Sequence, residues 1–446
     1  MSMEHANKAG RYRAPAAEAT TDERVSSLWS GTENRQLTPR AALIAALLLG
    51  GLHSPLHADE NAEEAEQSGL LDAFDVRGNI GIDATVFTAT PVHSATQQTN
   101  LSVSGEVELY RSFGDGDNSI LITPFLRIDQ HDSERTHFDF RELLYQHTFG
   151  DWEIQAGLGK VFWGVAESSN PVDVINQTDQ VENLTTNEKL GQPMIQASWA
   201  GETSEFELFI LPGFRERTYP GENGRPRLPL AVDPDAAEFE SDDEARHIGA
   251  AFRYIYLFDE WDLGFSYFNG TARDPLLRPD ASGESLVPFY YLVSQVGLDV
   301  QATLESWLLK LEVVHQSGDE IENHVRAVSG FEYSFYSVGE SDTDIGIVME
   351  YLYDERGDTA TQPLQNDVLA GIRIALNDEQ STEALIGILA DLDGDGMTFS
   401  AEASRRIGDN YKLTLEATTW FDSDPEGQQA AIDREDNINV RFARFF

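Results

Sequence analysis

Three stretches hold side chains whose types and spacing can do chemistry. At 391–402 the letters DLDGDGMTFSAE put Asp391, Asp393, Asp395 and Glu402 at positions 1, 3, 5 and 12 of a twelve-residue loop, with Gly396 at position 6. That is the ligand spacing of an EF-hand calcium loop, whose oxygen donors wrap a divalent cation. An EF-hand also needs a helix on each side, and here both flanks, 384–390 and 397–403, read as strands. A tight hairpin rich in Asp and Gly accounts for the same letters through turn geometry. The second stretch, 214–244, spaces Arg215, Arg217, Arg225 and Arg227 among prolines and ends in an acidic run. Guanidinium forks grip carboxylate or phosphate at two points at once, although alternating loop charges are also often simply solvated. The third, 161–190, reads VFWGVAESSNPVDVINQTDQVENLTTNEKL and combines carboxylates and amides with an aromatic pair, Phe162 and Trp163.

Covalent and redox chemistry has no foothold in the letters. There is no G-x-S-x-G, no H-E-x-x-H, no Walker loop and no dinucleotide fingerprint; the histidines are scattered and cysteine is absent. The expectation is a non-enzyme with no catalytic residue, no cofactor and no metal. Lack of cysteine also removes any disulfide framework and is compatible with an oxidising compartment. Asp and Glu number 77 against 31 Lys and Arg, a formal net charge of −46. Such a chain repels nucleic acid, so no nucleic-acid partner is expected.

The elements that must carry these stretches are strands. From Val76 onward the recurring unit is ten to fourteen residues with apolar side chains at alternate positions, bounded by Gly, Asp, Asn or Pro, the pattern of barrel strands that cross a membrane. The bounds are 76–88, 99–112, 119–131, 136–149, 152–160, 191–200, 204–213, 245–257 and 260–270, then 289–302, 306–317, 323–336, 343–354, 365–376, 382–391, 396–407, 411–422 and 436–446. Connections after odd-numbered strands are several times longer in total than those after even-numbered ones. A sandwich has no reason to sort its loops by parity, whereas a membrane barrel has short periplasmic turns and long extracellular loops. Trp152, Trp199, Trp261 and Trp307, with Tyr110, Tyr256, Tyr336, Tyr411 and Phe442, lie close to the short turns, and Trp420, Tyr353 and Tyr267 toward the other end. Such rings collect at the bilayer interface, where one end is apolar and the other hydrogen-bonds. The fold expected is all-β: a transmembrane, antiparallel, up-and-down β-barrel of about eighteen strands, with sixteen the alternative.

Ahead of it, the apolar run 41–52 follows Arg35 and Arg40 and leads into small residues ending near Ala58. Charged, apolar, small is the order of a secretory signal peptide, and the run is too short to span a bilayer. The domains expected are an N-terminal extension with signal over 1–58, an acidic periplasmic leader over 59–75, and the barrel over 76–446. By alternation the lumen receives Arg127, Asp129, Glu153, Glu205, Glu207, Lys310, Glu312, Arg326, Glu350, Arg373, Arg406, Lys412 and Arg441, a mixture of both signs. The faces of 136–149 and 289–302 alternate too poorly to assign.

Two resemblances narrow the reading. The segment from Phe162-Trp163-Gly164 to Asn170-Pro171-Val172-Asp173 resembles one found in uncharacterised porin-like outer-membrane barrels of proteobacteria, and Gln192-Pro193-Met194 and Leu211 through Arg217 are similar to the same group. The closing strand, N-I-N-V-R-F-A-R-F-F, resembles the last strand of bacterial outer-membrane barrels, where the terminal aromatic serves assembly; Phe442 and Phe446 are the residues concerned. A barrel of sixteen to eighteen strands leaves an aqueous bore, and this reading implies a channel for passive diffusion of small hydrophilic solutes, cation-leaning because its mouth is acidic. It also implies membership of the bacterial outer membrane, contact with its lipid and lipopolysaccharide, and insertion by the barrel-assembly machinery. In porins a loop like 161–190 folds into the bore and narrows it. On that footing Phe162, Trp163, Asn170, Asp173, Asn176, Asp179 and Glu182 are candidate constriction residues, against the alternative of a surface cap. An outer-membrane enzyme with a rim site and a non-conducting adhesion barrel are the other readings.

Overall fold

The computed structural model describes residues 73–91, 93–182, 188–362, 364–394, 396–421, 432 and 434–446. The expected signal peptide, nearly all of the leader and Asp395 lie outside the described residues. Eighteen strands form one closed antiparallel sheet. The first seven are β1 (Asp75–Phe87), β2 (Thr99–Phe113), β3 (Asn118–Asp129), β4 (His137–Phe149), β5 (Trp152–Gly159), β6 (Gln192–Ala200) and β7 (Ser204–Pro212). Two short strands, β8 (Ala231–Val232) and β9 (Glu238–Phe239), stand outside the barrel before β10 (Ile248–Phe258) and β11 (Trp261–Thr271); β12 (Leu276–Pro279) and β13 (Ser285–Tyr290) do the same after them. The barrel resumes with β14 (Leu292–Leu304), β15 (Trp307–Ser317), β16 (His324–Phe335), β17 (Asp344–Asp354), β18 (Asn366–Ala375), β19 (Glu383–Asp391), β20 (Met397–Ile407), β21 (Tyr411–Phe421) and β22 (Asn437–Phe445). Each barrel strand lies within three residues of an expected one.

Closure is made by β1, which pairs with β2 on one side and β22 on the other; Ile82 stands opposite both Val103 and Phe442. A closed ladder leaves no unpaired edge, which is the condition for strands in hydrocarbon. The apolar set faces outward. On β17, Ile347, Met349, Tyr351 and Tyr353 are 40–41% exposed, while Val348, Glu350, Leu352 and Asp354 between them are 1–3% exposed. The two rims differ as expected. One carries the two-residue turns 150–151, 259–260 and 305–306, the other the long connections 160–191, 213–247 and 272–291. Gly150, Asp259 and Glu305 hold φ of 61°, 49° and 55° in those turns, the left-handed geometry that a two-residue hairpin demands.

Two strands defeated the alternation for identifiable reasons. Thr123 pairs with Glu142 and Pro124 with Phe140, so Arg141 is an extra residue bulged out of β4. Pro124 has no N–H to give the ladder, and a bulge beside it shifts the parity. The outward set accordingly changes from Phe138 and Phe140 to Leu143, Tyr145 and Phe149. The segment 289–302 joins two elements, since Phe289 and Tyr290 end β13 and the barrel strand starts at Leu292. β13 pairs with β12 antiparallel and with β8 and β9 in parallel, making a small second sheet from the connections 213–247 and 272–291. Strands this short carry no readable period. Trp152, Trp261 and Trp307 stand exposed near the short turns, but Trp420 does not belong to the opposite girdle. It is 6% exposed and shares the inward register with Thr398.

Candidate functional site

The connection between β5 and β6, in its described parts 160–182 and 188–191, runs through the interior of the barrel. Its ends are tied to each other by Asn176, whose Oδ1 accepts the Val161 N–H at 2.8 Å and whose Nδ2 donates to the carbonyls of Gly159 at 2.8 Å and Leu190 at 2.9 Å. Asp173 accepts the Trp163 N–H and meets the Lys189 ammonium. Trp163, Val172, Val174 and Ile175 then pack on Met194, Phe209, Leu211, Phe268, Val293 and Val314 from the wall. Each fully buried side chain of that size contributes about 1.5–3 kcal/mol. The loop is thus seated on the arc from β6 to β15 by an apolar core within the bore.

Two glutamates fasten it to the wall beyond. Glu312 Oε1 on β15 accepts the N–H groups of Val165 at 2.7 Å and Ala166 at 2.9 Å and the Asn170 amide at 2.9 Å. Glu350 on β17 accepts the N–H groups of Glu167 and Ser168, each at 2.7 Å, and the Ser168 hydroxyl at 2.5 Å. Four consecutive backbone donors therefore converge on two carboxylates, an arrangement that binds anions well. Arg373 on β18 reaches Glu167 at 2.7 Å, and Lys310 lies 3.9 Å from both Glu167 and Glu350.

On the other side the anchors reverse sign. Arg127 on β3 holds Glu182 and Asp83, at 2.8 and 2.9 Å, and donates to Ser102 at 2.7 Å. Arg135 pairs with Asp129 at 2.9 Å and donates to the Val181 carbonyl, while the bulged Arg141 grips Asp179, which also accepts from Thr218 at 2.5 Å. Burial alone would raise the Glu182 pKa, but the guanidinium groups of Arg127 and Arg135 hold it well below the usual carboxylate range. Its charge is locked on.

The candidate constriction residues therefore fall into two groups. Trp163, Asn170, Asp173, Asn176, Asp179 and Glu182 build and attach the loop, whereas Phe162 is 58% exposed, with Lys189 Nζ 4.9 Å from its ring centre. Of the expected lining residues, Arg127, Asp129, Lys310, Glu312, Glu350 and Arg441 are buried by the loop or by neighbours. Glu153, Glu205, Glu207, Arg326 and Arg373 are half-buried on inward positions, and Arg406 and Lys412 form a directly opposed pair near the short-turn rim. Arg441 donates to Asn79 at 2.9 Å. Alternation alone missed Arg141, hidden by the bulge, and Arg253, which is paired with Asp299 at 2.8 Å and lies over Trp163. It also missed Arg273, whose guanidinium donates to the carbonyls of Ile175 and Thr271. No spacing in the sequence announces that last contact.

Three of the four arginines of 214–244 turn out to be fasteners, while Arg227 reaches only the adjacent Leu228 carbonyl among the hydrogen bonds of the described residues. Arg215 pairs with Asp139 through both nitrogens, Arg217 with Asp274 at 2.6 Å, and Arg225 with Glu435 at 2.7 Å, so three long connections are laced together. Burial would raise the Asp274 carboxyl, yet the guanidinium groups of Arg217 and Arg326 bring it down to about 2. The stretch 391–402 is the hairpin between β19 and β20, with Glu402 opposite Leu385 and Glu416, well along the strand from the turn. Among the described residues no group of three or more His, Asp or Glu is placed to hold a metal ion.

No family model and no curated protein matches the chain. Solved structures do. OccD3 of Pseudomonas aeruginosa is 8% identical over 85% of this chain and 92% of its own, with a TM-score of 0.50. Wzi of Escherichia coli, described as a carbohydrate-binding β-barrel involved in group 1 capsule assembly, is 9% identical over 84% and 85%, with a TM-score of 0.48. A mutant of the Rhodopseudomonas blastica porin is 9% identical over 84% of this chain and all of its own, with a TM-score of 0.42. At such identities the likeness speaks for the fold, that of an outer-membrane barrel, and for nothing finer.

Proposed function

We propose that this protein is an outer-membrane channel for passive diffusion of small hydrophilic solutes, leaning toward cations, with the connection 160–191 as its constriction. The observation that carries the reading is the loop itself, which is fastened on both sides of the bore while inward side chains of β18 to β21 such as Leu369, Arg373, Leu389, Glu402 and Thr418 stay half-buried rather than sealed. Barrels of this strand number enclose an aqueous bore unless something fills it. The cation preference is drawn from the acidic long-loop rim, including Asp233, Asp235, Asp242, Asp243 and Glu244, acting on a bore whose own charges are of both signs and largely paired.

Planar-bilayer recording under a salt gradient tests both halves. A steady single-channel current with a cation-selective reversal potential is expected; an anion-selective potential overturns the preference, and no steady current overturns the channel. A barrel closed by its loops is the second reading, and one observation favours it: Val172, Ile175 and Val314 are completely buried inside the bore. The same recording decides between them.

A further inference from the structure

The bore is sealed where the loop between β5 and β6 is fastened to its wall. Asp83, Arg127, Glu312, Val314, Val348 and Glu350, inward residues of β1, β3, β15 and β17, are at most 2% exposed. Half-buried inward side chains occur on β5 and β7 as well, Glu153, Glu205 and Glu207 among them. On β18 to β21, however, the register stacks three successive rungs in which most side chains keep partial access while Gly371, Gly387 and Trp420 are buried. Leu369, Leu389, Thr398 and the buried Trp420 form the first, Gly371, Gly387, Ser400 and Thr418 the second, and Arg373, Leu385, Glu402 and Glu416 the third. The leucines, Thr398, Thr418 and the charged side chains are half-buried, and Ser400 is exposed. Across from them stands the tip of the loop, held at the edge of this strip by the Arg373–Glu167 pair.

The strip is two-sided. Its β18–β19 flank offers isobutyl groups, and its β20–β21 flank offers hydroxyls and carboxylates. Between them Gly371 and Gly387 stand opposite each other and contribute no side chain. A Cβ added at Gly387 would lie 3.2 Å from Leu369 Cδ1 and 3.8 Å from Ser400 Oγ, so anything larger than a methyl group pushes into the trough. Leucine inside a water-filled bore leaves apolar area wet, and a passing solute that covers it gains about 25 cal/mol per Å².

We infer that the trough on β18 to β21 is the permeation lane and that it selects small neutral solutes with one apolar face and one hydroxylated face, the class that aryl glycosides represent. This rests on the channel reading and names the solutes that the channel favours. The test is proteoliposome swelling with p-nitrophenyl glucoside against a disaccharide of similar mass, alongside bilayer recording. The glucoside is expected to enter several-fold faster than the disaccharide. Replacing both flanking leucines, Leu369→Asn with Leu389→Asn, should bring that ratio toward one, and Gly387→Phe should cut single-channel conductance severalfold. Heat-modifiable gel mobility confirms that each variant has formed its barrel, and the leucine pair keeps the test alive if the glycine variant does not. Equal entry of the two solutes into wild-type vesicles, an unchanged ratio in the asparagine variant, or wild-type conductance in a folded Gly387→Phe barrel each overturns the lane. Failure of the channel reading looks different: no steady current and no swelling with any solute, in which case the lane falls with it.

Discussion

Glu312 and Glu350 sit on the wall but act on the loop. Their oxygens collect the N–H groups of residues 165 to 168, which have no strand partner and are half-buried. A fully buried donor without an acceptor costs about 1–3 kcal/mol and a half-buried one less, so the two carboxylates favour a loop tip resting against β15 and β17 over one that moves into the bore. The double variant Glu312→Ala, Glu350→Ala is expected to conduct with altered amplitude and a much noisier open state, while its heat-modifiable band remains. Wild-type noise and amplitude in bilayers would show that the apolar core around Trp163 holds the loop unaided. The two glutamates were readable as lumen residues from parity, because β15 and β17 alternate cleanly. Their role was not readable, since it depends on backbone donors arriving from a loop more than 140 residues away in the chain.

At the scale of elements, the seam shows how one strand end can control assembly. The Phe446 carbonyl accepts the Gly78 N–H at 3.1 Å and its N–H donates to the Gly78 carbonyl at 3.0 Å, extending the β1–β22 ladder by one closed pair. A Cβ at Gly78 would stand 2.6 Å from the Glu106 carbonyl and 2.8 Å from the Phe446 ring, which makes this position intolerant of any side chain. Gly78→Val and deletion of Phe446 are therefore both expected to lower the yield of heat-modifiable barrel severalfold, and the barrels that do form should keep wild-type reversal potentials. A shift in selectivity in those survivors would tie the seam to the pore instead. The terminal strand was legible because Ile438, Val440 and Phe442 alternate with Asn437, Asn439 and Arg441, a period that survives in any sequence read by eye. Position 78 was not, because nothing local distinguishes Gly78 from Gly81. Strand count, rim sorting and the apolar outer face could all be read for the same reason: each rests on short-range periodicity. The bulge at Arg141, the second sheet of β8, β9, β12 and β13, and the inward turn of Trp420 could not, because each is set by a partner distant in sequence.

For the whole molecule, the excess of acid is not spread evenly, and that decides how it can act on ions. Inside the bore the charges are mostly matched at short range, Arg127 with Glu182, Arg253 with Asp299 and Arg373 with Glu167. Among the described residues, exposed acids of the connection 213–247 stand outside such matching: Asp242, Asp243 and Glu244, with Glu238 held only by a 3.7 Å contact to the exposed Arg278. Exposed charges act through solvent, over a Debye length of about 10 Å at 0.1 M salt and about 3 Å at 1 M. Selectivity generated at the rim must therefore fade with salt, whereas selectivity generated by side chains lining a narrow passage persists, because the ion then passes within a few ångströms of them. The expected outcome is a cation preference, measured as reversal potential at a fixed concentration ratio, that is clear near 0.05 M and falls toward zero near 1 M. Neutralising Glu238, Asp242, Asp243 and Glu244 together to their amides should remove most of the low-salt preference and leave the high-salt value where it was. A preference that holds at 1 M, or survives those four substitutions at low salt, moves its origin from the rim to Arg373, Glu402 and Glu416 along the inner face of β18 to β21.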